Sequence, residues 1–577
     1  MLNALSVSLH GANQDGWQRA AGSLERQGFI AAGDFEWGGG TLSTWAHPAQ
    51  RNAQDSKVRA HSGIAVCVGS LWYQGRFGAA ALSALLADVD ASDRIDEAEL
   101  RGNFALFLRA GTRCLLMNDA LGFVRVYVSA DRLFYSTSWL AACAYSGRVE
   151  LDDAAVAEYV LLGASHSNRT PARGVTILPL ARAFDLAQGR LLERLPGGFS
   201  GVARPPVSFD GAVEAICDCL RAVFTEASAA FPGGIRAALS GGFDSRLIVA
   251  GLLACGNRPE LFVYGDSASE DVAIARSVAG VAGLPLAVKD KGVLERGLQP
   301  PGIDRLVESA LFFDGLPNDG IHDAGADQQT RQEQNAGGYL ALNGGGGEIF
   351  RNFFHLPDRP FHAVDIVSTF YRGFDAKVFR RGDGLGSFED GLVASMEQVL
   401  GADDTSGRRM QTREQVELLY PLFRCHFWMS VNNSVAVRHG HYATPLVDVN
   451  LVRLTCRLPL AWKNAGRLEG CLIARLHPGV ASQQSAYGFR FTDGPDWRAR
   501  FAEWRVCMRP AFVRPFINAT RRRLRKPGVS PDMIAHCRAL LPGEWRMDPL
   551  LDLARLPDNQ AFARALAVEV VWRHLVA

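Results

Sequence analysis

The chain has 577 residues, 48% of them hydrophobic and 21% charged, a length that predicts two or three domains and a composition that excludes a disordered chain. Its 61 basic and 60 acidic residues leave a net charge of +1, so no whole-protein field marks a nucleic-acid binder. No apolar run reaches the ~18 residues that cross a bilayer, so no membrane partner is expected either.

Residues 1 to about 200 read as β-rich. Short apolar or alternating runs at Ser62–Gly69, Asn103–Arg109, Cys114–Asn118, Val124–Ser129 and Arg132–Ser136 predict strands, punctuated by Gly, Asn and Asp. Helices are predicted at Gly78–Asp88 and Asp153–Leu162, the second capped by Asp152 or Asp153. The Gly/Pro-rich stretch Pro196–Pro206 is the candidate linker between a domain over 1–200 and another over 208–577.

Beyond it the pattern becomes strand–turn–helix. Strands are predicted at Ile235–Leu239, Glu260–Tyr264, Leu284–Val288 and Gly338–Asn343, with helices at Arg246–Cys255 and Glu270–Ala282. That alternation implies an α/β domain with a parallel sheet and ligands at the carboxyl ends of its strands. From about 348 the chain reads as mainly helical.

The N-terminus, Met1-Leu-Asn-Ala-Leu-Ser6, lacks the basic and apolar regions of a signal peptide. Eleven cysteines occur singly apart from Cys217 and Cys219, with no C-x-x-C pair and no metal-ligand spacing. Reduced thiols in a cytoplasmic protein are the expectation.

The strongest signal is Ser240-Gly241-Gly242-Phe243-Asp244-Ser245, placed between a strand and a helix. Two glycines after a strand allow a tight turn whose N–H groups converge on an anion, and the helix adds its positive end. The hydroxyls of Ser240 and Ser245 can donate to phosphate oxygens, and a carboxylate such as Asp244 beside a phosphate usually holds Mg2+. No Walker loop occurs. Arg246, at the start of the helix, suits either a further phosphate contact or a carboxylate partner.

This hexapeptide resembles the pyrophosphate loop of the ATP-pyrophosphatase superfamily, and its surroundings resemble the asparagine-synthetase-like branch. Leu100–Phe107 and Asn118–Tyr127 are similar to two N-terminal motifs of that family. Asn343-Gly-Gly-Gly-Gly-Glu-Ile-Phe350 and His441–Asp448 stand in the places of two later ones. The resemblance implies a degenerate glutaminase-like (Ntn) β-sandwich, an α+β domain. An adenine-nucleotide α-hydrolase-like synthetase domain with a parallel sheet would follow it. It also implies ATP and Mg2+ as cofactors, with Tyr264, Gly265 and Ser267–Asp271 near the nucleotide.

Three departures refine the expectation. Glutamine-dependent relatives carry a cysteine nucleophile at the second position, where this chain has Leu2, so the amine is expected from a source other than glutamine. Relatives place an acidic residue or a Tyr base near Gly345 and an aspartate at Gly347. Here Gly344, Gly345, Gly346 and Gly347 are expected to form an open backbone cradle, with Glu348 as the nearest carboxylate and second Mg2+ ligand. Relatives also carry a lysine near Gly488, where Arg490 is the only cation; Arg490 and Glu348 are the residues expected to act in catalysis.

Among relatives without the cysteine, the resemblance points to the cyclases of lasso-peptide biosynthesis. Such an enzyme adenylates an Asp or Glu side chain of a precursor peptide and closes it on the peptide's own N-terminal amine. Its expected partners are the leader-processed core peptide, a leader peptidase and a leader-binding protein. A β-lactam-synthetase-like or asparagine-synthetase-like ligase and a non-catalytic peptide-binding homologue are the alternatives. The basic, aromatic segment 498–526 is compatible with RNA binding and at least equally with a solvated helix face or a docking surface for an acidic peptide or partner protein, and His439 and His441 are read as cleft or core residues.

Overall fold

The computed structural model describes residues 1–48, 53–61, 63–92, 94–194, 199, 206–290, 292, 300–322, 325–401, 409–510, 513, 514, 516, 517, 520 and 528–576. The expected linker at 196–206 lies outside them apart from Phe199 and Pro206, as do Phe512 and 521–526 of the basic segment.

Two antiparallel sheets are built from residues 4 to 193. One runs Thr176–Ile177, Tyr127–Val128, Phe134–Ser136, Ala4–Leu9, Gly40–Ala46, Ile30–Trp37. The other runs Arg190–Glu193, Arg182–Asp185, Arg113–Asn118, Leu100–Ala110, Gly63–Tyr73, Lys57–Ala60. Strand alternation explains their stacking, because successive side chains point to opposite faces. Leu5, Val7, Ile64, Val66, Val68, Ala105 and Phe107 meet between the sheets. Their neighbours Ala65, Cys67, Leu106 and Leu108 pack outward with residues of the helix Gly78–Ser92. Ala4, Trp45 and Phe134 do the same with the helices Gln14–Arg26 and Trp139–Ser146. Leu2 is buried in the inter-sheet core.

Two strands are longer than their composition predicts. Gly63–Tyr73 and Leu100–Ala110 pair along their whole length, from Gly63↔Ala110 to Tyr73↔Leu100. The strand expected at Val124–Ser129 shortens to Tyr127–Val128. The Asp119 carboxylate accepts N–H bonds from Phe123 at 3.0 Å and Val124 at 3.1 Å, which holds that segment in a turn.

A five-stranded parallel sheet follows, in the order Leu286–Lys289, Glu260–Tyr264, Ile235–Ala238, Leu340–Leu342, Tyr442–Ala443. The helix Phe243–Ala254 packs under Phe209–Ala230, and Gly251 makes this possible: a Cβ there would lie 2.2 Å from the Phe224 ring. Strand order reverses between Ile235–Ala238 and Leu340–Leu342, so the loops after these two strands flank a topological switch point. The antiparallel half is tied to this sheet by Asn103, whose Oδ1 accepts from Thr444 N at 2.9 Å.

No helix among the described residues is long and apolar enough to cross a membrane. All eleven cysteines are free.

Candidate functional site

The loop Ser240–Gly242 leaves the central strand and enters the helix Phe243–Ala254 at Gly242, which offers no side-chain cap. The helix N-terminus therefore faces the switch point with its own N–H groups. Ser240 and Ser245 are brought together: their hydroxyls lie 3.0 Å apart, and Ser240 N donates to Ser245 Oγ at 3.0 Å. Gly241 N donates to Asp271 Oδ1 at 3.1 Å. A carboxylate thus already sits on one of the amides expected to face an anion, as an internal stand-in for a phosphate oxygen.

Asp244 projects from the first turn into a cluster. Its Oδ1 accepts from Arg351 Nη2 at 2.5 Å. The same guanidinium stands 2.9 Å from Glu469 Oε2 through Nε and 3.6 Å from Glu348 Oε1 through Nη2. Glu469 comes from the helix Arg467–Leu476 and its side chain is fully buried. Both its carboxyl oxygens lack a hydrogen-bond donor of good geometry.

The electrostatics follow from this packing. Burial raises Asp244 to about 6, with Arg351 opposing and Glu348 adding to the rise. Burial drives Glu469 far above the usual carboxylate range, and it hydrogen-bonds to Asp244 as the protonated partner. Burial works against the Arg351 charge, but Glu469, Asp244 and Glu348 outweigh it and hold the guanidinium charged.

Glu348 is the second residue of the short 3-10 turn Gly347–Phe350. Its Oε2 accepts from Gly346 N at 3.3 Å and from the Tyr420 hydroxyl. Burial first, then Cys425 and Glu348, pushes that phenol well above its ordinary value, so Tyr420 is a proton holder and not a ready base. Tyr420 and Met429 mark the two ends of a π-helical stretch, Tyr420–Met429, that lies against the glycine run.

The glycine run is not the open cradle expected from its sequence. A Cβ at Gly345 would lie 2.9 Å from Met429 Cε, and one at Gly346 would lie 2.7 Å from Val447 Cγ1. One at Gly347 would meet both Asp244 Cγ and Glu469 Oε1 at 2.7 Å. Only Gly344 has ordinary room, its nearest contact being Ser245 N at 3.6 Å. The glycines admit neighbouring side chains, and Glu469 fills the space a residue-347 side chain would need.

Arg246 also departs from both expected roles. Its side chain is buried, donates to the carbonyls of Gln483 (3.0 Å) and Gln484, and lies 5.0 Å from the Phe491 ring centre. Burial lowers its pKa to about 10. It clamps the segment 483–491 over the loop, where Ala486 N donates to Gly241 O at 3.1 Å and Phe491 stacks on Phe243 at 4.3 Å. The cation on the carboxylates is Arg351. Arg490 is exposed, on a turn bridged to Gln484. Tyr487, from the same turn, lies 4.6 Å from the Phe243 ring, and its hydroxyl oxygen accepts from Arg351.

Tyr264 and Gly265 stand at the carboxyl end of the adjacent strand, where Tyr264 accepts from Gln334 and Gly265 takes a φ of 145°. His439 and His441 line a cleft of about 990 Å3 with Met1 and His47, away from the carboxylates. Sequence reasoning missed Arg351, Tyr420, Glu469 and Tyr487. Arg351 was findable, being the first cation after Glu348 and one helical turn from it; the others come from distant segments without a motif.

Three carboxyl groups converging on one cationic group are the oxygen donor set of a hard divalent ion, which would take them in their ionised form. Asp244, Glu348 and Glu469 could therefore hold Mg2+ in the place Arg351 now takes.

No protein-family model and no curated protein matches the chain. Among solved structures, glutamine phosphoribosylpyrophosphate amidotransferase from B. subtilis, complexed with ADP and GMP, aligns with 51% of this chain and 70% of its own. The identity is 12% and the TM-score 0.21, an overlap too loose to carry an argument about site or function.

Proposed function

We propose that this chain is an ATP-dependent, AMP-forming amide ligase, and within that class a cyclase that closes a lasso-type peptide macrolactam. The observation that carries the ligase reading is the convergence of Asp244, Glu348 and Glu469 beside a glycine loop and helix N-terminus at the switch point.

The reaction has two steps. A substrate carboxylate oxygen attacks the α-phosphorus of ATP, the bond from that phosphorus to the bridging oxygen breaks, and pyrophosphate leaves. The amine nitrogen then attacks the acyl carbon, AMP leaves, and the nitrogen loses a proton. Bound Mg2+ would supply charge neutralisation on the phosphates. The N–H groups at Gly242 and the helix start orient the leaving pyrophosphate, and Asp271 gives up Gly241 N to it. The segment 483–491, held by Arg246, excludes water from the acyl-adenylate.

The macrolactam reading rests on the resemblance and on the amine. An α-amine has a reference pKa of about 7.7–8.0, so part of it is neutral near pH 7 without a dedicated base. The core peptide, a leader peptidase and a leader-binding protein are the partners this reading calls for. The packed glycine run favours a second reading, a ligase on a small amino acid, because Met429 and Val447 occupy space a peptide loop would use.

A leaderless core peptide with ATP and Mg2+ tests both. The cyclase should remove one water from the peptide and release an equal amount of AMP, and acetylating the N-terminus should stop the loss of water while adenylation continues. Equal dehydration of the acetylated peptide, or AMP release with only a small amino acid, favours the second reading. No ATP/pyrophosphate exchange with any carboxylate removes the ligase assignment.

A further inference from the structure

A few residues beyond Arg351, His355 meets the helix Trp497–Cys507. Its imidazole, the Glu503 carboxylate and the Cys507 thiol each present one ligand atom, and the three atoms lie within 4.8 Å of one another. His355 Nδ1 is 3.6 Å from Glu503 Oε1. Ligand atoms at tetrahedral zinc, each about 2.0–2.3 Å from the metal, stand roughly 3.3–3.8 Å apart. Small adjustments would complete that geometry. An ion pair accounts for His355 and Glu503 but not for the thiol beside both.

The ligands are held from behind. Asn352 Nδ2 reaches Cys507 Sγ at 3.5 Å, and Ala465 N donates to the second oxygen of Glu503. One guanidinium, Arg514, donates to the carbonyls of both His355 and Cys507 at 2.9 Å, locking the loop to the helix. Such outer contacts orient metal ligands. Backbone strain converges here too. His355 (φ 47°) and Ala465 (φ 53°) are two of six non-glycine residues at positive φ among the described residues. One delivers a ligand atom and the other donates to the second oxygen of a ligating carboxylate, and strain of this kind collects where function demands a fixed geometry.

We propose that His355, Glu503 and Cys507 form a Zn2+ site that ties the helix Trp497–Cys507 to the loop following Arg351. The mixed nitrogen, oxygen and sulfur donor set suits zinc and not Mg2+. Glu503 and Cys507 also line a cleft of about 640 Å3, which leaves room for a fourth, exchangeable ligand. Glu503 and Cys507 are spaced i, i+4 on one helix face, while His355 lies far away in sequence, so the site is invisible to a reading of ligand spacing along the chain.

The test is metal binding by the full-length protein after chelation and dialysis. Zn2+ should return at one per chain with micromolar or tighter affinity and raise the melting temperature. Co2+ in its place should show a thiolate-to-metal charge-transfer band. Cys507→Ser should abolish the band, and His355→Ala should weaken Zn2+ binding at least tenfold. His355 is half-exposed, so His355→Ala reads the site if Cys507→Ser fails to fold. Absence of stoichiometric Zn2+ in the wild type, or Zn2+ binding unchanged in His355→Ala, overturns the proposal.

Discussion

Glu469 meets Asp244 carboxyl to carboxyl, although the two stand on separate helices, and Arg351 bridges them at 2.9 and 2.5 Å. Two carboxyls and a guanidinium in so little space are stable only where burial keeps one acid protonated and the cation is fixed between them. The arrangement makes Glu469 as much a part of the site as the loop residue Asp244.

Glu469→Gln keeps the shape and removes the acid. On the ligase reading, ATP/pyrophosphate exchange should fall by about 10²–10³, the scale for losing one preorganised charge-stabilising group, and half-saturation should need more Mg2+. Asp244→Ala should abolish AMP formation with the fold retained. Exchange at the wild-type rate with a superimposable Mg2+ titration in Glu469→Gln would falsify its place as a metal ligand.

Arg351→Gln strips the cluster of its cation. Removing one member of a buried pair costs on the order of 3 kcal/mol, so the variant should melt below the wild type in chelator. Millimolar Mg2+ should recover much of the difference in the variant while changing the wild type little. Thermal melts of both proteins with and without Mg2+ read this directly.

The glycine run gives a position-specific contrast. Gly347→Ala places a methyl 2.7 Å from both Asp244 and Glu469, and overpacking of this kind costs about 1–3 kcal/mol. Gly344→Ala meets only an ordinary contact at 3.6 Å and should leave stability nearly unchanged. Denaturant unfolding of the two variants separates them; equal effects would mean the run is an open loop.

These contacts show what the sequence could and could not reveal. The alternating runs around Val66 and Phe107 and the strand–loop–helix at Ser240 were legible because period and turn residues act locally. Within the β-rich part no individual element is predicted before Ser62: Ile30–Trp37 is a largely exposed strand with a register shift at Ala31/Gly33, so it lacks the apolar alternation of a half-buried strand. The fifth parallel strand, Tyr442–Ala443, is too short to carry a pattern. Within the site, Asp244 and Glu348 sat in motifs, whereas Glu469 and Tyr420 reach it only through tertiary packing. Four glycines in a row looked like empty space, and the structure fills that space from other helices.

Arg246 offers a test between clamp and phosphate ligand. Arg246→Met removes charged donors to the carbonyls of Gln483 and Gln484, worth about 1.5–3 kcal/mol. It should therefore lower the denaturation midpoint and speed proteolysis within 483–491. A phosphate contact would instead leave stability intact and weaken ATP binding. Parallel unfolding and nucleotide-titration curves decide between these outcomes.

Glu158 supplies the pH dependence. It is buried, accepts from His166 N at 2.6 Å, and burial raises it from 4.5 to about 7, with that hydrogen bond and Arg169 opposing. A folded-state pKa above the unfolded value means the native protein keeps a proton that the unfolded chain loses. This stabilising contribution is full below pH 4.5 and disappears as pH rises through about 7. Glu158→Gln cannot titrate and can still accept the His166 N–H through its amide oxygen. Relative to the wild type, the variant should therefore gain stability between pH 4.5 and 7, by about 3 kcal/mol at most for a shift of this size. The buried imidazoles of His166 and His426, depressed to about 3 and about 4 mainly by burial, act with the opposite sign over the same range. The wild-type profile alone therefore mixes the two trends, and the difference between variant and wild type isolates Glu158. Urea midpoints of both proteins at pH 5, 6 and 7 should diverge steadily in favour of the variant; parallel profiles would show that Glu158 is already ionised in the fold.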